Sequence, residues 1–275
     1  MFERLTEERR TTDAIVDVLV DAGVTHVFGM PGGHTIGIFA ALHGRTDIRV
    51  VQVREESIGS IAAEAYGRLG AGLAVVMGQG EWILGNAGQG HLQALLGCAP
   101  MLILTEMSEG DAFSHHGPYQ GGSGDYGSWD AKGAFQGIVK RVMVSRSPAQ
   151  AVQHTQLAVK HALTGEPGPV AVVFHSQALR GRVGPTSVPA IYPTRGYLVP
   201  MSAGAEPAAL DAAAAALSAA TRPVIVAGNG IRVGRAEASL ERLAVALDAP
   251  VATTAAGKGV LPETHPLALG VIGEA

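Results

Sequence analysis

The sequence is short of several things, and each shortage excludes something. Cys98 is the one cysteine in 275 residues. A lone thiol rules out an intramolecular disulfide and leaves too few ligands for a structural zinc site. Its apolar neighbours suit a core thiol better than a nucleophile. No apolar run approaches the ~20 residues needed to cross a bilayer. The segment Met1 to Arg10 is charged and lacks the apolar stretch of a secretory signal, so a reducing, cytoplasmic setting is expected. Net charge is only −4, which gives no basic excess for nucleic acid or an anionic membrane. Asparagine occurs twice, at Asn86 and Asn229.

What remains is 47% hydrophobic and 16% charged, enough to bury a sizeable core over two domains. Thr11 and Thr12 are helix N-cap candidates, followed by Ile15, Val18, Leu19 and Ala22 at helical spacing, with Gly23 as a stop. Short apolar runs then alternate with helical periodicity. Strands are expected at His26–Phe28, Ile48–Val53, 72–77, Pro100–Thr105, Val139–Val144 and Val170–Phe174. Helices are expected at Thr35–Leu42, after Glu56, from Asn86 to Leu96, and at Pro148–Leu163. This alternation predicts an α/β fold with a parallel sheet flanked by helices. Residues 181–205, with Pro185, Pro189, Pro193 and Pro200, read as an extended linker between a first domain (1–180) and a second (206–275). The second domain opens with an Ala-rich helix near Ala208–Ala219. Its strands at Arg222–Ala227 and Ala249–Thr253 suit a partial Rossmann-like unit whose sheet edge after Thr253 would be open. Gly228-Asn229-Gly230 lacks the full dinucleotide-binding spacing, so a nucleotide-linked oxidoreductase has weak support.

The chain is organised around Arg54–Tyr66. A strand ends, two carboxylates follow at Glu55 and Glu56, and a helix begins with Ile58, Ile61, Ala62, Ala65 and Leu69 on one stripe. Ligands of open α/β sheets bind at such strand ends, and a carboxylate in a first helical turn is stabilised as an anion. Taken alone, the pair also suits a solvated helix start. Upstream, Phe28-Gly29-Met30-Pro31-Gly32-Gly33 forms a turn where backbone can approach a ligand. Downstream, Gly78-Gln79-Gly80 closes the next strand ahead of Asn86. The stretch 111–130 is glycine-rich and without periodicity, and holds His115, His116, Tyr119 and Gln120. Long loops inside compact domains are often functional, and adjacent imidazoles are candidate proton carriers.

In order, the Pro31-Gly32-Gly33 turn, the strand, Glu56, and Ala62-Ala63-Glu64-Ala65-Tyr66-Gly67-Arg68 resemble the N-terminal, pyrimidine-binding domain of thiamine-diphosphate enzymes of the acetolactate synthase and 2-keto acid decarboxylase type. The turn Gly165-Glu166-Pro167-Gly168-Pro169-Val170 and the segments Arg222–Gly228 and Gly257–Pro266 continue the resemblance into a middle domain. The resemblance implies that Glu56 hydrogen-bonds the aminopyrimidine ring and activates the cofactor. It implies that Pro31, Gly32, Gly33, Gly80 and Asn86 line the cofactor, and that His115, His116, Gln120 and Gly33 face a 2-keto acid substrate. Two departures stand out. About three extra residues lie around Glu81-Trp82-Ile83, and Ser176 replaces a lysine of the synthases, which weakens acetolactate synthesis as the specific activity. The family's Gly-Asp-Gly…Asn segment, which holds magnesium and the diphosphate, has no counterpart. Gly124-Asp125-Tyr126-Gly127 has no asparagine a few dozen residues later. A second subunit is therefore expected to carry the diphosphate-binding domain with its Mg2+, and the chain is expected to self-associate through the pyrimidine-binding domain. FAD is not expected, and neither a protein-held metal, a nucleic acid nor a membrane is expected as a partner. The alternative is a non-catalytic scaffold subunit of such a complex.

Overall fold

The computed structural model describes residues 5–70, 72–108, 121–124, 128–187, 192–198 and 204–273. The chain divides into two compact units, Met1–Val199 and Pro200–Ala275. In the first unit, β1 (Arg9–Arg10) leads into α1 (Thr11–Asp21), β2 (His26–Gly29), α2 (Ile36–Leu42), β3 (Arg49–Gln52), α3 (Glu56–Arg68) and β4 (Ala74–Met77). Then come α4 (Gly80–Gly85), α5 (Gly88–Leu96), β5 (Met101–Met107), α6 (Ala131–Gln136), β6 (Arg141–Ser145), α7 (Pro148–Leu163), β7 (Pro169–His175), α8 (Ser176–Arg180) and β8 (Arg182–Val183). α9 (Thr194–Tyr197) ends the unit. Six strands pair in parallel in the order β3-β2-β4-β5-β7-β6.

Parallel sheets survive only when both faces are covered, because their crossovers lay helices on each side. The alternation along β4 and β5 fits that. Val75, Met77, Leu102 and Leu104 enter one core with α1, α2, α7 and α8, while Ala74, Val76, Met101 and Ile103 enter a second core with α3, α5 and α6. Helix α7 starts as its sequence dictates: Pro148 is compatible with the first turn, and the Ser147 hydroxyl accepts from Gln150 N.

Three expectations need correction. The strand expected over Ile48–Val53 is the shorter β3, which lies at the sheet edge with Arg49 and Gln52 exposed. On α3, the apolar stripe does not face the core. Ile58, Ile61 and Leu69 are 53%, 39% and 72% exposed, while Gly59, Ser60, Ala63, Glu64 and Gly67 are buried. The reason is close helix packing. A Cβ placed on Gly90 of α5 would lie 2.4 Å from Ser60 Oγ and 2.5 Å from the Ser60 carbonyl carbon, so only small residues fit between α3 and α5. Cys98 is half-buried, not core. It sits after α5 with φ +52, its thiol 3.1 Å from Glu166 Oε1.

The proline-rich stretch after α8 is held to the first unit at several points. β8 pairs antiparallel with β1, Gln156 Nε2 donates to the Tyr192 carbonyl at 3.0 Å, and Thr194 Oγ1 donates to Asp21 at 2.7 Å. In the second unit, α10 (Pro207–Ala219) precedes β9 (Ile225–Ala227), α11 (Asn229–Val233), α12 (Glu237–Leu247), β10 (Val251–Thr253) and β11 (Ala268–Val271). The strands are parallel in the order β11-β10-β9. The edge of β10 is thus not open: β11 occupies it. The unit's small core is Ala227, Leu240, Ala244, Val251, Val260 and Leu261, and α10 buries no residue.

Candidate active site

The C-terminal ends of β2, β4 and β5 share one rim. Met30 N donates to the Met77 carbonyl, tying the turn after β2 to β4. Thr105 is 1% exposed, and its hydroxyl lies 3.1 Å from the Gly78 carbonyl and 3.3 Å from that of Gly80. Thr35 Oγ1 donates to the Gly32 carbonyl at 2.6 Å, and Gly33 takes φ +52, which an L side chain resists. A Cβ at Gly33 would also lie 2.0 Å from Glu106 Oε1. The turn's glycines therefore make room for neighbouring side chains as much as for a ligand.

Glu56 opens α3 behind this rim. Glu55 is its extended, exposed N-cap, whereas Glu56 is 4% exposed. Asn86 Nδ2 donates to Glu56 Oε2 at 3.1 Å, and the other carboxylate oxygen takes no hydrogen bond within the described residues. Ile83 packs over Gly78 beside the Glu56 Cγ, giving the carboxylate an apolar neighbour. The extra residues explain the position of Asn86. It does not open a helix as expected; Gly80–Gly85 form the short helix α4, and Asn86 sits at its C-terminal end, aimed back at Glu56. A carboxylate held this way, with one oxygen unclaimed, is built to accept a hydrogen bond from a ligand or share a proton with it.

Of the other residues chosen from sequence, Pro31, Gly32, Gly33 and Gly80 lie at this rim. His115, His116 and Gln120 lie outside the described residues. Ser176 is 5% exposed and donates to the Ser108 carbonyl at 3.3 Å, so it acts in packing at the start of α8. Pro31 also borders a separate depression of about 750 Å³ between α2 and the β3 edge, with Phe39, His43, Arg45 and Arg49. It lacks the strand-end carboxylate and is set aside. Among the described residues, no group of three or more His, Cys, Asp or Glu could hold a metal ion, and no helix is long and apolar enough to cross a membrane.

Sequence reading missed Glu106. It lies in the last part of β5, 1% exposed, against Gly33 and within 4.0 Å of where a Gly80 Cβ would be. The strand was expected to stop at Thr105, yet it continues through Met107. A carboxylate closing an otherwise apolar run was the available signal. Two further buried groups flank the region. Burial pushes the Glu81 carboxyl above its ordinary range, and burial drives the His91 imidazole down to about 3.

Comparison with known proteins places this geometry. Residues 9–126 match the family model "Thiamine pyrophosphate enzyme, N-terminal TPP binding domain", and residues 210–275 match "Thiamine pyrophosphate enzyme, central domain". A probable acetolactate synthase large subunit of Methanocaldococcus jannaschii is 30% identical over 95% of this chain and 43% of its own length. A probable 2-ketoarginine decarboxylase of Pseudomonas aeruginosa is 31% identical over 94% of this chain and 44% of its own length. Among solved structures, a thiamine diphosphate-dependent 4-hydroxybenzoylformate decarboxylase of Rhodococcus jostii RHA1 superposes with a TM-score of 0.83 at 21% identity, covering 96% of this chain and 48% of that one. That likeness speaks to the fold. The chain spans less than half the length of the curated relatives it matches.

Proposed function

Because the chain belongs to the thiamine-diphosphate-dependent enzymes, as an N-terminal and a central domain of that family, we propose that it supplies the activating carboxylate, Glu56, to an enzyme acting on a 2-keto acid by decarboxylation, carboligation or both. The observation that carries this is the buried Glu56 carboxylate, fixed by Asn86 at the end of the sheet with one oxygen free. A scaffold that only bound a partner would have no use for a desolvated carboxylate, which costs several kcal/mol unless a ligand or hydrogen bonds offset it. The relatives named as synthases and as a decarboxylase support a keto-acid substrate without choosing between the two outcomes.

The residues present fit the pyrimidine half of thiamine diphosphate. That cofactor, when bound, supplies an acidic ring carbon that adds to the keto carbon and accepts the electrons released with carbon dioxide. Glu56 would hold the aminopyrimidine by a hydrogen bond to its ring nitrogen, and its carboxylate would favour the imino form of the amino group. Asn86 keeps Glu56 Oε2 occupied, so a single oxygen serves that nitrogen. Ile83 keeps water from the carboxylate. The dipole of the 13-residue α3 favours the anion at its first turn. His115 and His116 are the proposed proton carriers toward the substrate, and Gln120 is a further proposed substrate contact.

We propose that the diphosphate and its magnesium are held by a second subunit. Magnesium takes carboxylate, phosphate and water oxygens in octahedral geometry. The chain also presents a surface for its own kind. Ile58 and Ile61 of α3, Leu69 just after it, Trp82 of α4, and Leu92 and Leu96 of α5 are all at least 39% exposed, and α3 packs directly on α5. Contiguous apolar exposure of this sort marks an interface. We place self-association there. Calorimetric titration of the purified chain with thiamine diphosphate and magnesium tests the division of labour. Tight binding and turnover are expected only when the subunit carrying the diphosphate domain is added; micromolar binding with keto-acid turnover by this chain alone would refute it.

A further inference from the structure

Thr105 breaks an apolar run, and the place where its hydroxyl bonds gives it a task. On β5, Met101–Leu104 are apolar and fully buried, and a valine at the next position would suit the strand as well with no hydroxyl to satisfy. Thr105 itself is 1% exposed. A buried hydroxyl needs a partner, and this one finds it on the turn after β4. Its Oγ1 lies 3.1 Å from the Gly78 carbonyl and 3.3 Å from the Gly80 carbonyl, and one hydroxyl proton serves both. That turn leads without a break to Glu56. A Cβ on Gly78 would lie 2.8 Å from Ile83 Cγ1 and 3.6 Å from Glu56 Cγ, so the turn's backbone packs against the carboxylate's own side chain. The Gln79 carbonyl accepts from Trp82 N and Ile83 N, each at 3.1 Å, where α4 starts, and Asn86 N donates to the Trp82 carbonyl at 2.9 Å. Asn86 Nδ2 then meets Glu56 Oε2.

We propose that Thr105 is a positioning residue: it braces the Gly78–Gly80 turn, thereby sets the end of α4, and so holds Asn86 on Glu56 Oε2. The inference rests on the activating role of Glu56 given above. Thr105 acts only through the backbone of the turn. A helix of six residues does not fix its own position, so α4 depends on anchors at its two ends. At its far end the anchor is the bond from Asn86 to Glu56. At its near end the turn carries two glycines, Gly80 with φ +21, which offer no side chain to hold it. The backbone bond from Gly78 N to the Leu104 carbonyl is 3.4 Å long and the weaker tether. The Thr105 hydroxyl is the side-chain hold. Without it the turn loses a buried partner, α4 shifts, and the amide of Asn86 loosens from the carboxylate.

Thr105→Val keeps the shape and loses the hydroxyl; Thr105→Ser keeps the hydroxyl. The two asparagines, Asn86 and Asn229, fall in different units, so isotopically labelled asparagine gives one side-chain amide signal for each unit in nuclear magnetic resonance. In the purified full chain, without cofactor or substrate, Thr105→Val should speed exchange of the Asn86 amide protons with water by roughly 5-fold or more, the scale of a lost hydrogen bond. The Asn229 amide should not change, and Thr105→Ser should restore the wild-type rate. In the assembled enzyme loaded with thiamine diphosphate and magnesium, Thr105→Val should slow deuterium exchange at the thiazolium C2 by roughly 10-fold, with cofactor affinity within a few-fold. In a Glu56→Gln background it should slow exchange no further, because its effect passes through that carboxylate. A general structural loss would instead add to that of Glu56→Gln. An unchanged Asn86 amide in Thr105→Val, no rescue by Thr105→Ser, or additive slowing in the double variant overturns the proposal. If Thr105→Val does not fold, Thr105→Cys, whose thiol is a much weaker donor, is read by the same outcomes. Wild-type C2 exchange in Glu56→Gln, alongside a loosened Asn86 amide in Thr105→Val, would defeat the proposed function and leave the brace standing.

Discussion

His91 should make the first unit sensitive to mild acid. The imidazole lies on α5 at 0% exposure, tilted against Phe135 with 6.1 Å between ring centroids. Neither ring nitrogen finds a hydrogen-bond partner within the described residues. Burial holds its pKa down at about 3, against an ordinary value near 6.5. The folded state thus keeps His91 neutral while the unfolded state takes up a proton as pH falls through 6.5. Stability is greatest above that value and declines toward pH 3. Linkage gives a loss of about 2 kcal/mol between pH 7.5 and pH 5 from this group alone. His91→Leu, similar in volume, removes both the titration and the two unpaired nitrogens. It should stabilise the unit by about 1–3 kcal/mol at pH 7.5 and flatten its pH dependence by about 2 kcal/mol down to pH 5. Burial also lowers His154 and His161, but they titrate alike in both proteins and cancel in the difference. Both tryptophans, Trp82 and Trp129, lie in the first unit, so fluorescence in urea follows that unit. Parallel pH curves for the wild type and His91→Leu would show that the imidazole is not held neutral, and the reasoning would fail.

Gly90→Ala should destabilise the first unit by about 1–3 kcal/mol in the same urea assay, because the new methyl meets Ser60 backbone and forces α3 and α5 apart; an unchanged midpoint would mean the helices can separate freely. Ile58→Asp with Leu96→Asp should lower the apparent mass in sedimentation without altering circular dichroism, since both side chains are more than half exposed; an unchanged mass would place self-association elsewhere. Glu55→Gln should leave keto-acid turnover near the wild-type rate while Glu56→Gln abolishes it; the reverse would move the activating role by one residue.

The sheet was legible because its central strands carry continuous apolar runs. Val75–Met77, Met101–Leu104 and Val170–Phe174 are buried on both faces, and helices separate them at the spacing of parallel crossovers. Glu56 was legible because a carboxylate follows such a strand and opens a helix. The inward face of α3 was not. Hydrophobic periodicity selects the stripe with most apolar surface, but here that stripe points outward. The buried side is set by small residues: Gly59 packs on Val53 and Val76, Gly67 on Pro100, and Ser60 on Gly90 of α5. Asn86 was chosen for its place in a motif, whereas its function depends on α4 turning it back toward Glu56, a three-dimensional consequence of the extra residues. Glu106 was hidden because propensity ends a strand at a charge, while the neighbouring β7 keeps Glu106 and Met107 paired with Phe174 and His175.

Activation of the cofactor by Glu56 can be measured without any substrate. In the assembled enzyme with thiamine diphosphate and magnesium bound, the rate at which the thiazolium C2 proton exchanges with deuterium reports that activation. Glu56→Gln should slow exchange by about 10²-fold or more, the scale of a lost acid–base group, while cofactor affinity stays within a few-fold. Exchange at the wild-type rate in Glu56→Gln, with the cofactor bound, would contradict the assignment of Glu56 as the activating carboxylate.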